Sequence, residues 1–294
     1  MGFIFLLIAA VFNMTKSYSS KRISGRVSGL SMTVDMTLCR NLLCAAIGAV
    51  LVAASGAEGF RLPPMGWLIC SIAGVAVGAN YIVWVLALRT GVYVFANAAN
   101  TASFIIAAFC GAVFWGEALT ATKLAAIILI LVAMVFMSRY QTESGGKPTP
   151  LHLLLLFLVF FTAGVSSATQ KWFARTLPDA SAHVYTFYSL LISTVLLFVA
   201  TLLIHERHTA KERAKSILDL WAWIVLMAVC FYGVTFFQTK ASFLIDAIIL
   251  YPVYNGALLA AGNVMAWLCF SEKPSKNSVT GALLVFAAIL LARL

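Results

Sequence analysis

The residues that could do chemistry in this chain are amides and aromatic rings placed inside long apolar runs. Asn97 and Asn100 are three residues apart, so they share one face if that run is helical. Tyr251, Tyr254 and Asn255 form a similar face further along the chain. Lipid cannot hydrogen-bond an asparagine side chain, so these groups should face protein or a polar cavity. The chemistry that they support is the binding of a small polar solute.

Two other apolar runs carry residues of the same kind. Polar side chains also join helices to one another in membranes, so each residue alone has a structural explanation. Their number on neighbouring runs favours a polar cavity over packing alone. The complete set of candidate substrate-binding residues is Asn80, Tyr81, Trp84, Asn97, Asn100, Tyr232, Gln238, Lys240, Tyr251, Tyr254 and Asn255.

This set allows two substrate classes. Its aromatic members, among them Tyr81 and Trp84, could form the cage that binds an organic cation. Lys240 together with the amides favours a solute that carries a carboxylate, such as an amino acid or a related zwitterion. We favour the zwitterion and keep the organic cation as the alternative.

No pattern typical of catalysis, a cofactor or a metal site is present in the sequence. There is no HExxH motif, no phosphate-binding glycine loop and no nucleophile elbow. The six cysteines fall inside apolar runs without ligand spacing, so we expect small buried side chains. The protein is therefore expected to be no enzyme and to need no cofactor or metal.

The composition requires membrane-spanning helices to carry these residues. Of 294 residues, 62% are hydrophobic and 10% are charged, whereas soluble domains carry about a quarter charged residues. Ten apolar segments of roughly 17 to 25 residues match the thickness of the hydrocarbon layer. Because lipid offers the backbone no partner, these segments must be helical. The net charge of +10 comes from basic residues between them, where such residues set membrane orientation, and does not indicate nucleic-acid binding.

The predicted fold is an all-α integral membrane protein of ten transmembrane helices. The linker 141–150 is rich in turn residues and separates a first half, 1–140, from a second half, 151–294. The predicted helices span residues 2–15 (or as far as 18), 31–54, 65–88, 92–115, 120–138, 151–173, 183–204, 218–240, 246–270 and 275–293.

The two halves are copies of one another. Asn100 corresponds to Asn255 and Glu117 to Glu272, at the same sequence offset. Each half holds an odd number of helices, so the repeats are inverted, as in secondary transporters with a substrate site near the midplane. Glu117 and Glu272 are expected to be structural, accepting backbone N–H bonds at the turns into the fifth and tenth helices.

These halves resemble the EamA type of the drug/metabolite transporter superfamily over nearly the whole chain. FWGEALT and CFSEKPS close the fourth helix of each half with an acidic turn. ALRTGVYVFANAA and KASFLIDAIILYPVY, with Pro252, resemble the family's links between the third and fourth helices of each half. Asn97 and Asn100 stand where members usually have small residues, and SEKP replaces the commoner GE-x-L. The resemblance implies a permease of small metabolites, with a cavity lined by helices 1–4 and 6–9.

The sequence therefore predicts a multi-pass transporter in the cell membrane, of the bacterial plasma-membrane kind. It would move a small polar metabolite by alternating access and work as a monomer or homodimer. Its expected partners are the lipid bilayer and a small-molecule substrate. A non-transporting membrane scaffold or receptor is the alternative from a different class.

The basic residues also predict an orientation. Thirteen of the twenty lie in loops that follow odd-numbered helices, six lie on the side of the termini, and Arg40 lies within the second helix. Basic residues of short loops stay in the cytoplasm, so both termini are predicted to face outside. The resemblance implies the opposite, because related transporters keep both termini in the cytoplasm.

Overall fold

The computed structural model describes residues 1–24, 26, 30–55, 60–90, 93–139, 149–203, 210–270 and 276–291. All regular secondary structure in these ranges is helical. Seven of the described helices are long and apolar enough to cross a membrane, and three shorter apolar helices accompany them. Helices that are apolar on every side suit a surrounding of lipid and other helices. The chain is accordingly an all-α, multi-pass membrane protein.

The helices follow one another with short connections. In chain order they are α1 (Gly2–Ser24), α2 (Leu30–Ala54), α3 (Pro64–Thr90), α4 (Tyr93–Ala102), α5 (Phe104–Phe114), α6 (Ala121–Arg139), α7 (Pro150–Thr176), α8 (Ala182–Leu203), α9 (Ala210–Asp219), α10 (Trp221–Ser242), α11 (Ala247–Phe270) and α12 (Lys276–Leu291).

The helices differ from the predicted set at two places. The fourth predicted helix is interrupted at Ser103 and forms α4 and α5. The charged loop after the seventh predicted helix contains α9, whose sequence AKERAKSILD is rich in strong helix formers. Charge made this segment look like a loop, although its residues favour a helix.

The first helix also extends further than predicted. It continues through KSYSSKRIS to Ser24, a stretch without the glycine or proline that would end a helix. Lys16 therefore lies inside α1, although the predicted orientation assigns it to the loop after the first helix. The outward orientation of the termini stays a prediction.

The two halves interdigitate in the bundle. α1 packs along α10, and α7 packs along α3. α2 lies against α8, α5 against α11 and α6 against α12. Each of these pairs joins a helix of the first half to one of the second. The buried core of the described residues is consequently built by both halves together.

Glycines allow the closest helix approaches. A Cβ added at Gly74 on α3 would lie 2.7 Å from the backbone oxygen of Ser189 on α8. One added at Gly164 on α7 would lie 2.5 Å from Cδ1 of Ile106 on α5. Membrane helices associate through such close packing, because lipid provides no hydrophobic driving force between them.

Candidate functional site

Two cationic side chains lie against aromatic rings in the middle of the bundle. Arg40 is 5% exposed and sits about 15 Å along α2 from its first residue. Its guanidinium carbon lies 4.3 Å from the ring centroid of Tyr81 on α3 and 4.5 Å from that of Phe231 on α10. The ammonium of Lys16 on α1 lies 5.6 Å from the same Phe231 centroid. We refer to this group as the basic–aromatic cluster: Lys16, Arg40, Tyr81 and Phe231.

Hydrogen bonds orient the arginine of this cluster. Its Nε and Nη2 donate to Oδ1 of Asn41 at 3.2 and 2.8 Å. Nδ2 of Asn41 in turn donates to Oγ of Ser193 on α8 at 3.1 Å. Asn41 and Ser193 are both fully buried. The guanidinium is thus fixed by a network that joins α2 to α8.

Arg40 follows the carboxylate residue Asp35 by five positions on α2. Across the described residues, no ion pair joins these two side chains. Residues five apart lie on different faces of a helix, so Arg40 turns to α3 and α10 instead. Its mid-membrane position could have been recognised from sequence, since α2 begins ten residues earlier at Leu30. An arginine at that depth indicates function by default.

A row of rings continues from the cluster along α10. Tyr232 and Phe236 are one helical turn apart, and the ring of His183 on α8 stacks on Phe236 with centroids 4.0 Å apart. The Tyr232 hydroxyl and Nδ1 of His183 share a hydrogen bond of 2.8 Å. We refer to Tyr232, Phe236 and His183 as the aromatic row. Lys240 ends this face, with its ammonium 5.5 Å from the Phe236 centroid.

The predicted residues on α11 are engaged in the core. Tyr251 is fully buried, and its hydroxyl donates to Oε1 of Gln170 at 3.4 Å. The hydroxyl of Tyr254 accepts from Nδ2 of Asn13 at 2.9 Å. Nδ2 of Asn255 donates to the backbone oxygen of Tyr251, within the same helix. The bonds of Tyr251 and Tyr254 hold α11 against α7 and α1.

Four other predicted residues are half-buried. The backbone oxygens of Asn97 and Asn100 accept the hydroxyls of Thr101 and Ser103. Within the described part of the chain, the side-chain amides of Asn97 and Asn100 make no hydrogen bond, so they are available to a ligand. Trp84 packs beside the apolar contact between α3 and α7, and Gln238 lies on α10.

Asn80 has two partners on α7, and both of them favour a structural role. Its Nδ2 donates to the backbone oxygen of Val159 at 3.2 Å and to Oγ1 of Thr162 at 3.0 Å. We expect Asn80→Leu to cost about 1 kcal/mol of stability, the usual value of an interhelical hydrogen bond in a membrane. Solute affinity should stay unchanged. Thermal unfolding and ligand titration measure the two effects.

Asn97→Leu is the matched comparison for that variant. The side-chain amide of Asn97 makes no hydrogen bond among the described residues. The unfolding temperature of Asn97→Leu should therefore equal that of the wild type, whereas its affinity for the solute should fall. A loss of affinity without a loss of stability in Asn80→Leu would contradict the structural assignment.

A separate charged network closes one end of the bundle around Glu117. This side chain is 6% exposed and follows Gly116, whose φ of +64° suits glycine. Its Oε2 accepts the backbone N–H of Ile248 at 3.1 Å, in the first turn of α11. The sequence placed this bond at the turn into the fifth helix, but the carboxylate reaches across to α11. An anion is favoured there by the helix dipole.

Two cations complete this network. Nζ of Lys171 lies 3.7 Å and Nη2 of Arg175 lies 3.6 Å from Oε1 of Glu117. The Lys171 ammonium also donates to the backbone oxygens of Ser242 and Ile245 at 3.0 and 2.6 Å. Ser242 is the last residue of α10 and Ile245 lies in the turn after it, so the ammonium sits at a helix C-terminus, where a cation is favoured. A cleft of about 320 Å³ opens beside Lys171 and Arg175. Glu272, the predicted counterpart of the carboxylate, lies outside the described residues.

The chain is similar in sequence to one curated protein and similar in fold to a solved structure. No family model matches the chain. A riboflavin transporter of Brucella anthropi is 24% identical over 241 residues, which are 82% of this chain and 80% of that protein. A solved crystal structure superposes with a TM-score of 0.80 at 14% identity, covering 99% of this chain and 96% of the other. The second likeness concerns the fold alone.

Proposed function

We propose that the protein is a membrane transporter of a small metabolite. The observation that carries this proposal is the similarity to a riboflavin transporter, which extends over most of both chains. The interior supports it as well, because buried Arg40 and its buried partner Asn41 lie deep in a helix that can span the membrane. Charged and amide groups at that depth are expensive and typically serve a solute pathway.

Alternating access of two inverted five-helix halves is the mechanism that we infer, as in an EamA-type permease. The packing of each half's helices against helices of the other half supports this mechanism. If α1 corresponds to α7 and α10 to α3, the pair α1 with α10 is the same contact as α7 with α3. The basic–aromatic cluster then lies between the halves, since Phe231 belongs to the second and the other members to the first. Repeat interfaces near the midplane hold the substrate in such transporters.

The Glu117 network fits the same mechanism. It joins a carboxylate of the first half to Lys171 and Arg175 of the second, and so fastens one end of the bundle. A solute that leaves through this end requires the two halves to separate there. We infer that breaking and reforming this network accompanies each transport cycle.

The substrate that we infer is a polar metabolite with a planar ring, and riboflavin is the first to test. Aromatic side chains stack well on flat ligands, and the aromatic row supplies them. An amino acid or related zwitterion is the second candidate, because a carboxylate suits Arg40. An organic cation is less favoured. The guanidinium of Arg40 already covers Tyr81 and Phe231 and would repel it.

Uptake by purified protein in lipid vesicles tests this function. We expect labelled riboflavin to enter vesicles that contain the protein faster than protein-free vesicles, and excess unlabelled substrate to suppress that uptake. Unlabelled amino acids and organic cations, added as competitors, compare the substrate classes. If folded protein moves none of these solutes, the transporter proposal fails and the scaffold or receptor alternative gains.

A further inference from the structure

The basic–aromatic cluster holds two positive charges without a negative partner in the described part of the chain. The Glu117 carboxylate, which pairs with Lys171 and Arg175, lies at the end of the bundle and not beside Lys16 or Arg40. Lys16 and Arg40 contact aromatic rings, and Arg40 also contacts the neutral amide of Asn41. Both charges lie against the ring of Phe231, so they also repel each other.

The cluster also has hydrogen-bond donors to spare. A guanidinium carries five N–H groups, and an ammonium carries three. Asn41 accepts from Nε and from Nη2 of Arg40, and the Tyr81 hydroxyl is a further partner of the guanidinium, so the donors not directed at these two side chains are left for a ligand. Lys16 makes no hydrogen bond there through its ammonium. A buried charge such as that of Arg40 is stable only when a counter-charge and acceptors are supplied.

We propose that Lys16 and Arg40 bind the anionic group of the transported solute, a carboxylate or a phosphate. An arginine held by Asn41 and Ser193 presents its remaining donors in a fixed direction, as bidentate recognition of such groups requires. The planar part of the solute lies against the aromatic row, whose Tyr232 follows Phe231 on α10. This inference rests on the proposed function and narrows its substrate class to anions.

Riboflavin and riboflavin 5′-phosphate are the matched probes, because they differ in the phosphate alone. Both are titrated into purified protein, and binding is followed by flavin fluorescence and by thermal unfolding. The wild-type protein should bind the phosphorylated flavin about tenfold or more tightly than riboflavin, in proportion to a charge-assisted contact. Benzoate and inorganic phosphate, each added alone, test whether other anions occupy the site.

Lys16→Met is expected to remove most of this preference, measured as the ratio of the two flavin affinities in the same variant, since the charge-assisted contact is lost. Lys16→Arg should keep the preference. Lys215→Met, at an exposed lysine of α9, is the control and should behave as the wild type. A third outcome is that inorganic phosphate stabilises the wild type but not Lys16→Met, while the two flavins bind equally well. The site would then serve a separate small anion and not a group of the transported solute. That result would overturn the narrower substrate assignment.

Two results overturn the anion site itself. The first is equal affinity for the two flavins together with no stabilisation by benzoate or phosphate. The second is an anion preference that survives in Lys16→Met. Riboflavin uptake into vesicles is scored separately. Uptake without anion preference refutes the site and keeps the transporter, whereas Lys16-dependent anion binding without uptake of any solute keeps the site and refutes transport.

Discussion

Replacing Arg40 with methionine is expected to lower the uptake of an anionic solute such as riboflavin 5′-phosphate by about 100-fold. A buried charge-assisted contact is worth about 2 to 5 kcal/mol when one partner is truncated, and each 1.4 kcal/mol changes affinity about tenfold. Methionine matches the aliphatic part of the arginine side chain but lacks the guanidinium that contacts Tyr81 and Phe231, so the change removes the charge, its donors and its cation–π contacts. Initial uptake rates in vesicles measure the effect.

The stability of the solute-free protein separates this role from a structural one. Arg40→Met deprives Oδ1 of Asn41 of its donors, but it also removes a buried charge that has no described counter-charge. These terms oppose each other, and we expect the unfolding temperature to change little. Arg61→Met, at an exposed arginine before α3, is the matched control and should transport normally. Wild-type uptake by Arg40→Met would contradict the central role of the cluster.

Among the single variants proposed here, Lys171→Met is expected to lower the free energy of unfolding the most. The change leaves the buried Glu117 carboxylate with Arg175, which is 45% exposed, as its remaining described cation. It also leaves the carbonyls of Ser242 and Ile245 without the Lys171 donor. Breaking a buried ion pair from one side costs about 3 to 5 kcal/mol. Thermal or denaturant unfolding in a fixed detergent measures this loss.

A double variant tests the explanation. In Lys171→Met with Glu117→Gln, the uncompensated carboxylate is gone, so the pair should recover a large part of the stability that Lys171→Met alone loses. Lys215→Met, whose side chain is exposed on α9, should unfold as the wild type does. If the double variant is as unstable as the sum of the two single variants, the side chains of Lys171 and Glu117 are not energetically coupled.

The sequence by itself determined the class of the protein and the approximate position of its spans. An apolar run long enough to cross a bilayer must be helical, because lipid gives the backbone no other partner. Helix α2 accordingly ends at Ala54, the residue that the sequence predicted. The presence of polar groups inside the spans was equally visible, since Asn97, Asn100 and Tyr251 interrupt apolar sequence.

Only the tertiary structure decided how these polar groups are used. Asn80 is hydrogen-bonded to α7, and Tyr251 lies in the core. Arg40 of α2 and Lys16 of α1 both contact the ring of Phe231 on α10. The physical reason is that helices apolar on every side carry no periodic signal of which face points inward. The rotation of each helix is set by its neighbours, as where Gly74 admits the backbone of α8. Composition and length therefore determine the spans, whereas packing determines which side chains form a site.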